Sequence, residues 1–174
     1  MLNFCSSFYK DIAYFGGYPS QMEFESLIDH GFKYFIDLTT IRERQKLTYD
    51  YSIDISNHKD VFYINYSIID NNIPISKDSY MNFLSFLMKI LKKKEKIYIH
   101  CKGGHGRSSL LVASIFCFLL MYNPYEAFHK TKQCHEKRDN LKEKYRGIDC
   151  PQVSVQRKFV ICLYNDYKKC TDTI

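Results

Sequence analysis

The stretch Ile97-Tyr98-Ile99-His100-Cys101-Lys102-Gly103-Gly104-His105-Gly106-Arg107-Ser108-Ser109 constrains this chain more than any other. Ile97 to His100 alternates like a short buried strand. Leu110 to Tyr122 is too long and too unbroken for a strand and predicts a core helix. The glycine-rich segment therefore joins a strand to a helix N-terminus, where unpaired amides and a partial positive charge favour anions. Gly103, Gly104 and Gly106 let the backbone approach a ligand closely, and a nest of that kind suits an oxyanion.

Cys101 stands at the mouth of this nest, in a field that favours a thiolate and hence a nucleophile. Arg107 can return its forked guanidinium to two oxygens of a phosphoryl group at once, which a lysine cannot do. Ser108 can donate its hydroxyl to the sulfur when sulfur becomes the leaving group. Other phosphate loops fail on spacing. Arginine stands where a Walker loop needs lysine, and Ser109 stands where a dinucleotide fingerprint needs a third glycine.

His100-Cys101-x5-Arg107-Ser108 resembles the signature of the cysteine-dependent protein tyrosine phosphatases, and the short chain without tryptophan looks like their compact dual-specificity branch. The resemblance implies an α/β fold, with a central mixed, mostly parallel sheet of about four or five strands flanked by helices. It implies a single catalytic domain over residues 1–174 and hydrolysis of phosphotyrosine and phosphoserine or phosphothreonine through a phosphocysteine. Phosphate would be held by Lys102, Gly103, Gly104, His105, Gly106 and Arg107. In the family the general acid is an aspartate one helix and one strand before the nucleophile, as Asp70 is; Asp54 and Asp60 come too early and Asp78 too far into the helix. Gln152-x3-Gln156 resembles the family's glutamine loop, with Gln152 as the guide for the hydrolytic water. No cofactor or metal enters such a mechanism.

Lys102 and a cationic His105 are similar to the basic loops of phosphoinositide 3-phosphatases. An anionic lipid is thus one alternative to a phosphorylated protein; an RNA 5′-triphosphate is another, favoured by the basic surface alone, and a phospho-binding pseudophosphatase is the non-enzymatic alternative.

At 174 residues and 45% hydrophobic, the chain can bury one core. Its net charge of +6 suits anionic partners. Seven scattered cysteines and no leader-like N-terminus predict a reducing, cytoplasmic setting. Residues 110–122 fall short of the roughly 20 needed to cross a bilayer. His129, Cys134, His135 and Cys150 lack the paired spacing of a zinc site.

In chain order, residues 1–13 lead in and a strand ends at Gly16. A helix follows over Gln21 to His30 with Met22, Phe24, Leu27 and Ile28 on its apolar face, closed by Gly31. Strands are predicted at 32–38 and 61–66. Between them, Arg42, Glu43 and Arg44 lie where such folds place substrate-facing loops and read either as the pocket rim or, the favoured reading, as exposed loop charges without a specific task, and residues 45–60 as an irregular or loosely paired excursion. Ser76 caps a helix with Tyr80, Phe83, Leu84, Leu87, Ile90 and Leu91 inward. Asn123-Pro124-Tyr125-Glu126 opens one or two basic helices over 124–145, and Val153 to Lys169 forms the last.

Overall fold

The computed structural model describes residues 2–171; Met1 and residues 172–174 of the expected single domain lie outside the described residues. Five short strands, β1 (Cys5–Tyr9), β2 (Ala13–Gly16), β3 (Tyr34–Asp37), β4 (Phe62–Asn65) and β5 (Ile97–His100), form one sheet in the order β1-β2-β5-β3-β4. β1 pairs antiparallel with β2, and the remaining pairings are parallel. This is the α/β architecture, with its mixed, mostly parallel five-stranded sheet, that the resemblance implies.

Strand alternation sorts side chains onto two faces. Phe15, Ile36, Ile97 and Ile99 join one core, covered by α4 (Lys77–Lys92), α5 (Arg107–Leu119), α6 (Pro124–His135) and α7 (Ser154–Thr171). Phe35 and Tyr98 join the other, with Phe24 and Leu27 of α1 (Gln21–Asp29) and Tyr51 of α3 (Tyr51–Asp54). β5 lies in the middle with every residue buried. His100 stands in register with Gly16 on one side and Asp37 on the other. The C-terminal ends of β2, β3 and β5 thus meet where Cys101 begins, the edge at which open α/β sheets bind ligands.

Three expectations are corrected. Met22 is exposed, because α1 buries Phe24 and Leu27 and packs Ile28 partly beside them on the opposite face. The core helix runs from Arg107 to Leu119 rather than from Leu110 to Tyr122. Its apolar run continues past the helix end because Met121 takes a left-handed conformation (φ 59°) and Tyr122 folds back, its N–H donating to Phe116 O at 3.2 Å. Residues 45–60 contain α3, capped by Asp50, and the irregular stretch is anchored in the core by Tyr51.

The remaining starts agree with their capping chemistry. Ser20, Ser76 and Asn123 each accept from the first turn of their helix, and Ser20–Glu23 and Asn123–Glu126 close full capping boxes. No helix among the described residues is long and apolar enough to cross a membrane.

Candidate active site

The loop between β5 and α5 curls around the sulfur of Cys101. The side chain is 3% exposed; Gly104 N–H donates to Sγ at 3.2 Å and Ser108 Oγ lies 3.5 Å away. Gly106 caps α5, so the helix amides open onto the loop. Gly104 takes φ 76°, and a β-carbon there would run into the backbone of Gly16 and the Arg138 guanidinium. Both the conformation and the space require glycine. Gly104→Ala is therefore expected to lower kcat/KM on an aryl phosphate by about 10²-fold, through a displaced donor to the sulfur and its transition state. Steady-state kinetics beside a melting curve check it.

Arg107 is buried at the start of α5. Its Nη1 donates to Glu43 Oε2 at 2.8 Å and to Ile68 O at 2.9 Å, and its Nη2 donates to Glu43 Oε1 at 2.7 Å. Nε is buried with no partner among the described residues. The forked pair with Glu43 fixes the guanidinium plane and leaves that N–H for a ligand.

Glu43 is also the third residue of a capping box, taking N–H and O–H from Thr40 at 3.0 Å each, in the short α2 (Ile41–Arg44). Burial raises its pKa, but the hydrogen bonds from Arg107 and Thr40 outweigh that and hold the carboxyl at about 2. α2 is held in turn by Arg44, whose Nη1 lies 3.3 Å from the buried Asp37, itself bonded by Thr39 and Tyr63. The expectation that Arg42, Glu43 and Arg44 serve no specific purpose thus fails for Glu43 and Arg44. Their partners lie far along the chain.

Asp70 stands on the loop after β4, its Oδ1 3.0 Å from Arg107 Nη2 and its side chain 61% exposed. The loop turns through Asn71 in a left-handed conformation (φ 57°). Gln156, in the first turns of α7, reaches it: its Nε2 donates to Asn72 O at 2.9 Å, and its amide packs against Gly106. Gln156 is fully buried, while Gln152 lies exposed on the cavity wall. The structure thus brings Cys101, Arg107, Ser108 and Asp70 together and places both glutamines beside them, with Gln156 rather than Gln152 tying the two loops.

The histidines differ from expectation. His100 is buried and shares a 2.6 Å hydrogen bond with Tyr51, which locks the strand end below Cys101. His105 does not project a charge from the loop. It bonds His135 at 2.8 Å and stacks on Tyr145 with ring centroids 3.8 Å apart. Burial, then the charges of Arg138 and Lys144, lower its pKa to about 4; burial, then Arg138, lowers that of His135 to about 3. Both are neutral at pH 7, so His105 is a prop for the loop and the extra positive group expected there is missing. His129 pairs with Gln133, and no group of three or more metal-ligating side chains forms among the described residues.

Burial also lowers the pKa of His100. All three shifts are downward, so the unfolded chain, titrating near 6.5, takes up protons first as pH falls. Their neutral burial costs no stability above that value, and stability is lost from about pH 6.5 towards pH 4. The melting temperature is expected to drop from pH 7 to pH 5, and His135→Gln is expected to shrink that drop. Thermal melts of both proteins at the two pH values check it.

A cavity of about 550 Å³ opens over the loop, lined among others by Tyr18, Asp70, Cys101, Lys102, Arg138 and Tyr145. A family model described as "Dual specificity phosphatase, catalytic domain" matches residues 13–147. Protein 067L of Invertebrate iridescent virus 3 is 33% identical over 162 residues, covering 91% of this chain and 65% of that protein. Protein 197R of Invertebrate iridescent virus 6 is 36% identical over 126 residues, covering 71% and 45%. Both names carry the words tyrosine phosphatase, and the chain spans less than two thirds of either relative.

Among solved structures, Tk-PTP in the active form superposes with a TM-score of 0.74 at 16% identity, covering 95% of this chain and 99% of that one. PTPMT1 in complex with PI(5)P gives 0.71 at 16%, covering 91% and 94%. At such identities the superpositions speak for the fold. The domain match carries the assignment: this chain belongs to the dual specificity phosphatase family of the cysteine-based tyrosine phosphatase superfamily.

Proposed function

We propose that the chain hydrolyses phosphomonoesters through a phosphocysteine intermediate. Cys101 Sγ attacks phosphorus, and the equatorial oxygens take hydrogen bonds from the loop amides and the free Nε of Arg107. Asp70 gives its proton to the departing oxygen, then removes one from the water that cleaves the thiophosphate. Ser108 steadies the sulfur as it leaves, and the glutamines border the space where the water must sit. The observation that carries this reading is a buried sulfur, bonded by Gly104 N–H, on the same loop as an arginine whose opposite edge Glu43 already holds. Phosphotyrosine and phosphoserine or phosphothreonine in proteins are the first substrates. Seven free thiols support a reducing, cytoplasmic setting.

A phosphoinositide headgroup is the second reading. It is favoured by the cavity, far larger than one phosphoryl group needs, and by the likeness to PTPMT1, whose structure holds PI(5)P.

Rapid-quench mixing with an aryl phosphate tests the proposal. Phosphate is expected on the Cys101 peptide by mass spectrometry; phosphate on any other residue overturns it. Asp70→Asn is expected to cost about 10²-fold on an alkyl phosphate and much less on a nitrophenyl phosphate, whose leaving group needs little help from an acid.

A further inference from the structure

We infer that Lys77 of α4 and Cys162 of α7 form a peroxide-sensitive modification site, at which a hydroperoxide oxidises the thiol and the lysine amine then closes a sulfur–nitrogen bond between the two helices. The bridge stands independently of the phosphatase reading; only its bearing on Asp70 rests on that reading.

Three side chains from two helices converge here, outside the cavity over Cys101. Lys77 Nζ lies 3.1 Å from Cys162 Sγ and 2.7 Å from Asp166 Oδ2. Cys162 and Asp166 share one face of α7, four residues apart. The site is open to small solutes: Cys162 is exposed, and the side chains of Lys77 and Asp166 are 46% and 51% exposed. Cys5, Cys117 and Cys150 are buried instead, and burial pushes their thiols up to about 12, 12 and 11. They are poor targets for an oxidant.

The chemistry balances with one oxidant. Cys162 Sγ attacks one oxygen of the hydroperoxide and the O–O bond breaks. Sulfur gives up two electrons and becomes a sulfenic acid. Lys77 already donates to the sulfur, so its ammonium proton goes to the departing oxygen and the amine is left neutral beside the new S–OH. The nitrogen lone pair then displaces the hydroxyl: the S–O bond breaks, the S–N bond forms, and Asp166 passes the amine's proton to the leaving oxygen as water. With hydrogen peroxide, thiol, ammonium and one peroxide give the bridge, two waters and one proton. Cys170, the other exposed thiol, stands eight residues on, about 12 Å along a helix axis and beyond the reach of a disulfide.

The position gives the bridge its consequence. Lys77 is the first residue of α4, just after the loop that carries Asp70, and Gln156 of α7 already holds that loop at Asn72 O. A bond at Lys77 fastens the loop to α7 at a second point and joins residues 85 positions apart.

The test treats Cys101→Ser protein with hydrogen peroxide, so that oxidation of the nucleophile does not enter, and maps peptides by mass spectrometry after cleavage at acidic residues. The Lys77 and Cys162 peptides are expected to appear joined with the loss of two hydrogens and to separate with dithiothreitol. The melting temperature is expected to rise by at least about 4 °C and to fall back on reduction. Lys77→Arg keeps a cation against Asp166, but its guanidinium stays charged and does not condense. That variant should lose the cross-link and the rise, while dimedone still traps a sulfenic acid at Cys162. An unreacted Cys162, a disulfide from it to Cys170 or to a second copy, or a cross-link that persists in Lys77→Arg overturns the site. Hydrogen exchange at residues 71–76 is expected to slow in the bridged protein; a bridge that leaves it unchanged overturns only the effect on the loop of Asp70.

Discussion

Cys101→Ser is expected to cut turnover of an aryl phosphate at least about 10⁴-fold, to background, while the melting temperature and phosphate affinity stay close to those of the parent. The loss is large because a serine hydroxyl is far harder to ionise than a thiol, and the groups that meet the sulfur position are the N–H of Gly104, a donor, and the hydroxyl of Ser108, neither of them a base. The fold is spared because oxygen is smaller than sulfur and the pocket around it is already formed by backbone and by Gly104. Phosphate binding survives because Arg107, held by Glu43, and the α5 amides do not depend on the nucleophile. Steady-state kinetics with calorimetry on inorganic phosphate check both halves. Activity above about 1% of the parent would mean that another group attacks phosphorus.

What the residue order reveals here is mostly what is local. The strand into Cys101, the helix out of it and the capped starts at Ser76 and Asn123 follow from periodicity and turn chemistry within a few residues. Cys101, Arg107 and Ser108 are legible for the same reason, since one loop carries them all. Asp70 needed the resemblance, because its distance from Cys101 along the chain says nothing by itself about distance in space.

Glu43 shows where that reading stops. Thr40-x-x-Glu43 is a readable helix start, yet the same carboxylate closes the cap and clamps an arginine 64 positions away. Tyr51 sits in a four-residue helix too short to show a period, and its hydroxyl meets His100 across 49 positions. His105 looked like a cation because a loop histidine usually meets water. Its burial against His135 and Tyr145, with the nearby charges of Arg138 and Lys144, keeps it neutral, and none of those partners is local in the chain.

Arg107→Lys is expected to lower kcat/KM about 10³-fold with the charge conserved, because what is lost is shape rather than sign. The guanidinium uses one edge for Glu43, through Nη1 at 2.8 Å and Nη2 at 2.7 Å, and keeps Nε for the phosphoryl oxygen while Nη2 also reaches Asp70. A lysine ammonium can satisfy Glu43 or the phosphoryl group, not both, and the one it abandons is half-buried and charged. Glu43→Gln should cost less, about tenfold, since the amide oxygen still accepts one of the two N–H groups and the Thr40 cap is only weakened. In the double variant the two losses are expected not to add, because removing Glu43 frees the lysine to turn towards substrate. A double-mutant cycle on kcat/KM measures the coupling, and strict additivity would show that Glu43 does not position the arginine.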